Sequence, residues 1–209
     1  MGQYFEIHRD NPQGRLVQQA VEVIRKGGVA IYPTDSCYAL GCLPGEKNAL
    51  DRIIRTRQLD ARHNMTLVCN DLSQISTLAR VGNTEFRLIK SLTPGPYTFL
   101  LRATREVPRR LQHPKRRTIG IRVPDNKIVD ALLEALGGPM LSTSLILPGD
   151  DLPLNDPEEF REQLQREVDV IIDGGPGGLS ATTVLDLTGD EPQLVREGLG
   201  KLEHIIEPP

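Results

Sequence analysis

Apolar residues occur in this chain with two different spacings, and the order in which the two alternate constrains the fold more than any other feature. Helical spacing predicts helices at residues 14–26, 46–57, 72–80, 84–91 and 125–136 (capped by Asp125 or Asn126) and one that begins after Asp156, whereas short apolar runs predict strands at 29–32, 66–69, 97–101, 118–123, 140–144, 168–172, 182–187 and 193–196. The last three strands follow one another with no helix between them. This order favours an α/β fold with a twisted, mixed, open sheet and helices packed on it over a doubly wound parallel sheet.

The length of 209 residues suffices for one sizeable hydrophobic core, and we expect a single domain over residues 1–209. No stretch approaches the ~20 apolar residues that a membrane-spanning helix requires, and the first residues lack the pattern of a secretory signal. Three cysteines fit neither a disulfide framework nor a zinc site, and for Cys37 we favour a space-filling thiol over a reactive one. We therefore expect a reduced, cytoplasmic protein with no membrane partner.

Residues 33–40 follow the first predicted strand after the helix at 14–26 and place several polar groups at its end. Proline opens the segment, and it ends the strand because it has no N–H group to donate. Thr34, Asp35, Ser36 and Tyr38 follow. In open α/β sheets ligands bind at the carboxyl ends of the strands, so this octet is a candidate for one wall of a binding site. An ordinary Pro-Thr-Asp turn explains the same residues equally well.

Hydroxyl and arginine side chains recur at or near the ends of the predicted strands and of the second helix. They are Thr34, Ser36, Arg55, Arg57, Arg122, Ser142, Thr143, Ser144, Thr182, Thr183 and Arg196. An arginine fork binds carboxylate or phosphate oxygens with two parallel hydrogen bonds, and hydroxyls orient the same groups. The pattern therefore predicts a site for an anionic ligand.

No nucleophile–base pair, metal-ligand cluster or phosphate-binding P-loop is evident in the sequence. The glycine-rich segment 174–178 lacks the P-loop lysine. The four histidines are scattered without ligand spacing, and we interpret them as surface residues. We assign no catalytic residue and expect no metal site built from protein side chains. A site built from arginines and hydroxyls would position an anionic substrate and neutralise its charge, which suits phosphoryl or nucleotidyl transfer.

Charge is unevenly distributed along the chain. Residues 102–127 hold nine Lys/Arg against two acids, a balance of +7, whereas residues 150–173 hold nine acids against two arginines, a balance of −7. The basic segment indicates a face for phosphates or nucleic acid. Two ordinary exposed surfaces of opposite charge are the alternative.

Seven short motifs occur in order: Pro33-Thr34-Asp35-Ser36-Cys37-Tyr38-Ala39-Leu40, Arg55-Thr56-Arg57, Asn64-Met65-Thr66-Leu67, Thr93-Pro94-Gly95-Pro96-Tyr97-Thr98, Thr118-Ile119-Gly120-Ile121-Arg122-Val123-Pro124, Thr182-Thr183-Val184 and Arg196-Glu197-Gly198. Together they resemble the signature motifs of the YrdC-like family of threonylcarbamoyl-AMP synthases, and the chain looks closest to the YciO branch of that family. The resemblance covers about residues 14–200, which we expect to form the core of the domain.

The resemblance implies a twisted, mostly open α/β sheet with a large, basic, concave groove. It implies ATP with Mg²⁺ as a substrate, with L-threonine and bicarbonate, to give threonylcarbamoyl-AMP for the threonylcarbamoyladenosine modification of tRNA. Some members of the family bind double-stranded RNA or tRNA. Carried over to this sequence, the substrate and nucleotide site would comprise Thr34, Tyr38, Arg55, Arg57, Thr66, Arg122, Ser142, Ser144, Thr182 and Arg196.

The chain also departs from the family pattern at three places. Arg55 stands where the family has lysine, and Met65 where it has proline. No asparagine occurs where the family has Ser-Ala-Asn, either at 144–146 or at 142–144. Two functions therefore stay open: a nucleotidyltransferase of the L-threonylcarbamoyladenylate synthase type, and a non-catalytic module that binds double-stranded RNA or tRNA in the same basic groove. Carbamoyl chemistry of the kind found in hydrogenase maturation is a third, weaker alternative.

Overall fold

The computed structural model describes residues 2–60 and 63–202, so that His204 lies outside the described residues. The strands are β1 (Gln3–Glu6), β2 (Ala30–Tyr32), β3 (Ala39–Cys42), β4 (Thr66–Val68), β5 (Ala79–Arg80), β6 (Tyr97–Ala103), β7 (Thr118–Arg122), β8 (Met140–Ser144), β9 (Val170–Asp173), β10 (Thr183–Asp186) and β11 (Gln193–Arg196). The helices are α1 (Gly14–Arg25), α2 (Lys47–Arg57), α3 (Leu72–Leu78), α4 (Asn83–Leu92), α5 (Lys127–Leu136) and α6 (Pro157–Leu164), with a short 3₁₀ helix at Arg109–Leu111. Within these residues no helix is both long enough and apolar enough to cross a membrane.

All the described strands belong to one sheet that contains both parallel and antiparallel pairs. Its order is β1-β9-β2-β3-β8-β4-β7-β6-β10-β11, and β5 pairs with β6 beside this path. The pairs β1/β9, β2/β9, β4/β7 and β6/β10 are parallel, and the others are antiparallel. The predicted mixed, open α/β sheet with helices packed on it is therefore confirmed.

Strands β1, β3 and β5 were not predicted from the sequence, and β3 changes the interpretation of the octet. Strand β3 begins at Ala39 and pairs antiparallel with β2, so residues 33–38 connect the two strands of a β-hairpin. The sequence of β3 contains Gly41 and no β-branched residue, which weakens its strand signal. A side chain at Gly41 would lie 2.8 Å from the Tyr32 ring. The glycine is therefore needed to fit Tyr32 into this hairpin.

Helix α5 starts close to the octet, and its first turn is held by an N-cap. The side chain of Asn126 accepts hydrogen bonds from the backbone N–H groups of Ile128 and Val129. Of the two caps that the sequence allowed, the structure uses Asn126. The backbone N–H of Asp125, the residue before it, donates to the Asp35 carboxylate at 3.0 Å. The start of α5 and the octet are therefore joined by a direct hydrogen bond.

The sheet carries helices on both faces, and alternation along the strands divides its side chains between two hydrophobic cores. One core includes residues of α2, α3, α4 and α6 together with Ile31 and Leu67. The other includes residues of α1 and α5 together with Tyr32 and Val68. Successive residues of β2 and β4 thus point to opposite faces, as the pleat of a strand requires.

Helices α1 and α5 cover only part of their face of the sheet. On β6, β7 and β10, the inner residues Phe99, Ile121 and Leu185 belong to the core on the opposite face. Their neighbours Leu100 and Arg122 lie on the face of α1 and α5, yet they belong to neither core and line a cavity instead. The uncovered part of this sheet face is therefore the place where a ligand can reach the strands.

Substitution of two neighbouring isoleucines of α2 tests which side of the helix packs against the core. Ile53 is fully buried, whereas Ile54 is 36% exposed. We expect Ile53→Ala to lower the free energy of unfolding by about 2–5 kcal/mol because it leaves a cavity in the core, and Ile54→Ala to lower it by less than about 1 kcal/mol. Both substitutions remove the same atoms from the same helix. A difference between the two variants in the free energy of unfolding, measured with urea, therefore reports the effect of burial. Equal losses would contradict this packing.

Candidate functional site

A cavity of about 610 Å³ lies on the uncovered part of the sheet, and we call it the arginine cavity. Small-molecule sites in proteins have volumes of roughly 300–1,000 Å³. Seven of the residues predicted for the substrate site line it: Arg57, Thr66, Arg122, Ser142, Ser144, Thr182 and Arg196. The fold therefore brings together side chains that are far apart in the sequence.

Three guanidinium groups converge on this cavity from three elements. Arg57 is the last residue of α2, Arg122 the last of β7 and Arg196 the last of β11. Partial burial lowers the pKa of both Arg57 and Arg196, and the charge of a neighbouring arginine lowers each further. The Nε atoms of Arg57 and Arg122 are buried without a hydrogen-bond partner. Such concentrated positive charge favours an anionic ligand.

The octet holds Arg122 in position. One terminal nitrogen of Arg122 forms an ion pair with Asp35 and donates to the hydroxyls of Thr34 at 3.0 Å and Ser36 at 2.9 Å. The Thr34 hydroxyl itself donates to the backbone carbonyl of Cys37 at 2.6 Å. Thr34 does not line the arginine cavity but a neighbouring cavity of about 430 Å³. In the structure, Thr34 thus orients an arginine of the site.

The structure does not bring Tyr38 or Arg55 to the arginine cavity. Tyr38 is fully buried, and its hydroxyl donates to the carbonyl of Gly175 at 2.7 Å and accepts from the N–H of Gly174 at 3.1 Å. Arg55 is exposed, two positions before Arg57 on the same helix. Residues two positions apart point to different sides of a helix, so only Arg57 reaches the cavity.

A network of hydroxyl groups forms part of the cavity floor. The hydroxyl oxygens of Thr98 and Thr182 lie 2.8 Å apart, and Arg196 donates two hydrogen bonds to the Thr182 carbonyl, at 2.9 and 3.1 Å. Thr66 pairs with Gly120, where an added Cβ would lie 2.7 Å from the Thr66 hydroxyl oxygen. The absence of a side chain at Gly120 therefore leaves room for the Thr66 hydroxyl on the floor.

Ser142, on the cavity floor, is held by a hydrogen bond from a buried tyrosine. The Tyr32 hydroxyl donates to the Ser142 hydroxyl oxygen at 2.6 Å. Burial raises the pKa of Tyr32 to about 12, so that this hydroxyl stays protonated and remains a donor at neutral pH. Ser142 can therefore direct its own hydrogen towards a ligand in the cavity.

Other residues of the lining were not predicted from the sequence. They include His63 and Thr98, together with the apolar side chains Leu59, Leu100, Val184 and Val195. Thr98 lies inside an apolar run whose two faces the sequence does not distinguish, and its partner Thr182 is 84 positions away. The one available signal for Thr98 was its position in the Thr93–Thr98 motif.

The basic segment 102–127 is divided between separate cavities. Arg122 is its only residue in the lining of the arginine cavity. A second cavity of about 600 Å³, which we call the outer basic cavity, is lined by Arg80, Arg102, Arg105, Arg109, Arg116 and Arg117. The arginines of this segment therefore line two cavities that have no lining residue in common.

Metal-binding and thiol groups contribute little to the site. Among the described residues, no group of three or more His, Cys, Asp or Glu side chains is arranged to hold a metal ion. All three cysteines are buried free thiols, and burial raises the pKa of Cys42 and Cys69 to about 12. Those two thiols therefore stay protonated at neutral pH.

Known proteins share this fold along nearly its whole length. The family model for the Sua5, YciO and YrdC proteins, described as "Telomere recombination", matches residues 22–198. The chain is 60% identical over 206 residues to YciO of Escherichia coli (strain K12), covering 99% of this chain and 100% of that protein. The crystal structure of E. coli YciO matches with a TM-score of 0.96 at 59% identity, covering 99% and 100% of the two chains.

More distant relatives extend the comparison. The chain is 33% identical over 149 residues to the threonylcarbamoyl-AMP synthase of Neisseria gonorrhoeae (strain ATCC 700825 / FA 1090), covering 71% of this chain and 78% of that protein. The crystal structure of P. abyssi Sua5 complexed with L-threonine matches with a TM-score of 0.84 at 26% identity. That match covers 93% of this chain and 57% of the Sua5 chain.

The mixed open sheet with helices packed on it places the chain among α/β proteins that share the fold of the YciO and Sua5 structures. The chain belongs to the Sua5/YciO/YrdC family, and the resemblance predicted from its seven motifs is confirmed.

The ion pair in the octet can be tested by comparison with a surface pair. The side chains of Arg122 and Asp35 are 6% and 9% exposed, whereas those of Arg25 and Glu22 are 46% and 57% exposed. We expect Asp35→Asn to lower the free energy of unfolding by about 3 kcal/mol because it leaves the Arg122 charge buried without its carboxylate. Glu22→Gln should change it by less than about 1 kcal/mol. Urea unfolding at one pH measures both, and similar small effects would contradict the proposed support of Arg122.

Proposed function

We propose that the protein is a nucleotidyltransferase of the L-threonylcarbamoyladenylate synthase type, which uses L-threonine, bicarbonate and ATP with its Mg²⁺ to form threonylcarbamoyl-AMP, pyrophosphate and water. The observation that carries the proposal is the convergence of Arg57, Arg122 and Arg196 on one hydroxyl-lined cavity. All three substrates carry anionic groups of the kind that arginine binds bidentately. The relation to threonylcarbamoyl-AMP synthases, and to a Sua5 structure complexed with L-threonine, supports the choice of substrates.

The reaction consists of two bond-forming steps. The amino nitrogen of threonine bonds to the carbon of bicarbonate, and water leaves, to give a carbamate. A carbamate oxygen then attacks the α-phosphorus of ATP, and the bond from that phosphorus to the oxygen bridging to the β-phosphate breaks, so that pyrophosphate leaves. Both steps require anions to be held side by side, and nearby guanidinium groups reduce their repulsion. Mg²⁺ enters with the phosphates as part of the substrate.

The apolar part of the lining suits the adenine ring. Leu100, Val184 and Val195 line the same cavity as the arginines, and Val195 is 54% exposed. An apolar wall beside a few convergent polar groups is the usual composition of a small-molecule site. We therefore assign the adenine to this wall and the phosphates to the arginines.

The departures from the family pattern are compatible with this assignment. Arg55, which replaces the family's lysine, lies outside the arginine cavity. Where the family has an asparagine, the hydroxyl residues Ser142, Thr143 and Ser144 of β8 belong to the lining of the cavity. These groups both donate and accept hydrogen bonds, so we propose that they take over the contacts of the missing amide.

Arg57 and Arg55 offer a matched pair of variants. We expect Arg57→Gln to lower the rate of threonine- and bicarbonate-dependent pyrophosphate release from ATP about 10²-fold, because a preorganised positive group is lost from the site. Arg55→Gln should leave the rate within about twofold, since an exposed charge is screened by salt. No pyrophosphate release by the unaltered protein would remove the proposed function, and equal losses in both variants would contradict the assigned geometry.

A second candidate function, binding of double-stranded RNA or tRNA, is favoured by the outer basic cavity. Six arginines line it, and its lining contains no aromatic residue. Proteins grip A-form RNA through its shape and phosphates, whereas single strands are commonly bound by stacking on aromatic side chains. We therefore propose duplex RNA rather than single-stranded RNA as the ligand of this surface.

The RNA proposal predicts a specific dependence on salt. Replacing exposed Arg105 and Arg109 by glutamine should weaken binding of an RNA duplex and make the slope of log affinity against log salt shallower by about 2, because about one counterion is released for each phosphate contact. A control with Arg15 and Lys26 of the α1 region replaced by glutamine should behave as the unaltered protein. Affinity that is independent of salt, or of Arg105 and Arg109, would contradict the proposal.

A further inference from the structure

His63 lies on the wall of the arginine cavity, although the sequence alone suggested a surface residue. Its Nε2 atom is 3.3 Å from the hydroxyl oxygen of Thr143, a contact that orients the imidazole ring. Among the described residues that line this cavity it is the only histidine. The ring is therefore held beside the space assigned to the substrates.

Burial and the neighbouring positive charges lower the pKa of His63, which favours the neutral ring. Burial lowers the pKa of His63 most, Arg57 of α2 and Arg196 of β11 lower it further, and Asp60, in the loop after α2, raises it. Arg122 of β7 adds a third positive charge to the cavity lining, and β8 contributes the uncharged Thr143 hydroxyl next to the ring. At neutral pH the imidazole is thus a base with a free site for a proton.

We propose that His63 is the proton acceptor of the reaction and takes the proton that the threonine amino group must lose before its nitrogen can attack carbon. This inference rests on the proposed function. Condensation of the ammonium group with bicarbonate yields the carbamate, one water and one proton, and the ring accepts that proton at Nδ1. Its Nε2–H then donates to Thr143, a hydrogen bond that both charge states of the ring permit.

Binding of the anionic substrates would raise the pKa of His63 and so make it a stronger base in the substrate complex. Phosphate and carboxylate groups bound to the arginines compensate the positive charge that disfavours the imidazolium form. An opposite charge within a few ångströms raises the pKa of a histidine. The arginines therefore couple the binding of anions to the proton affinity of His63.

A titration of His63 by NMR tests this coupling without reference to activity. The imidazole resonances are followed against pH in the unaltered protein, with and without inorganic pyrophosphate, and His63→Gln assigns the signal. We expect a pKa below the ordinary value of about 6.5 without pyrophosphate and a higher pKa with it. A pKa that pyrophosphate does not raise overturns the inference.

Kinetics supply the second measurement. We expect His63→Gln to lower kcat for pyrophosphate release about 10²-fold at pH 7, with a smaller loss at high pH, where the free amine is more abundant. The fall in rate at low pH that reflects protonation of His63 should disappear in this variant. His8→Gln is the control, because His8 is exposed and its Nδ1 accepts hydrogen bonds from the N–H groups of Asp10 and Asn11.

The two measurements separate the two proposals. Pyrophosphate release with an unchanged pH profile in His63→Gln overturns the role of His63 and leaves the proposed function in place. A raised His63 pKa in a protein that releases no pyrophosphate removes the proposed reaction but retains the coupling between anion binding and the proton. Loss of the low-pH inflection together with a raised pKa supports both.

Discussion

The ion pair between Arg122 and Asp35 is the interaction on which the rest of the site depends. Both side chains are almost completely buried, and the same guanidinium also contacts Thr34 and Ser36. Because a buried charge without a partner is costly, the hairpin connection between β2 and β3 and the end of β7 are tied to each other. The second carboxylate oxygen of Asp35 accepts from the backbone of Asp125, which adds the start of α5 to the same unit.

Arg122 uses only part of its hydrogen-bonding capacity within the protein, and this is why the cavity favours an anion. Its Nε atom and that of Arg57 are buried without partners, and Arg196 is fixed by the Thr182 carbonyl. Helices α1 and α5 cover the other part of this sheet face and exclude ligand from it. The positively charged arginines therefore lie where a ligand can reach the sheet, at the uncovered strands β6, β7 and β10. The neutral imidazole of His63 lies beside these arginines.

Much of the fold and part of the site follow from the sequence. Apolar periodicity predicts the helices and most strands, and the run of late strands predicts a mixed sheet. Strand β3 was missed because Gly41 interrupts its pattern, and that glycine is explained by the Tyr32 ring, a contact between strands. The motif Arg55-Thr56-Arg57 predicts arginines at the site but not which of them reaches the cavity, since that depends on how α2 is rotated against the sheet. Thr98 contacts Thr182, and His63 joins the same cavity lining, only through non-local packing, which no local pattern encodes.

Among the described strands, β11 is the outermost on its side of the sheet, and it pairs with β10. All four of its residues are exposed, yet it carries Arg196. An edge strand opens locally at a lower free energy than the centre of a sheet, and a ligand that binds only the closed form stabilises that form by mass action. Fraying of this one strand would withdraw one of the three guanidinium groups from the cavity, and an anion that contacts Arg196 would oppose that fraying.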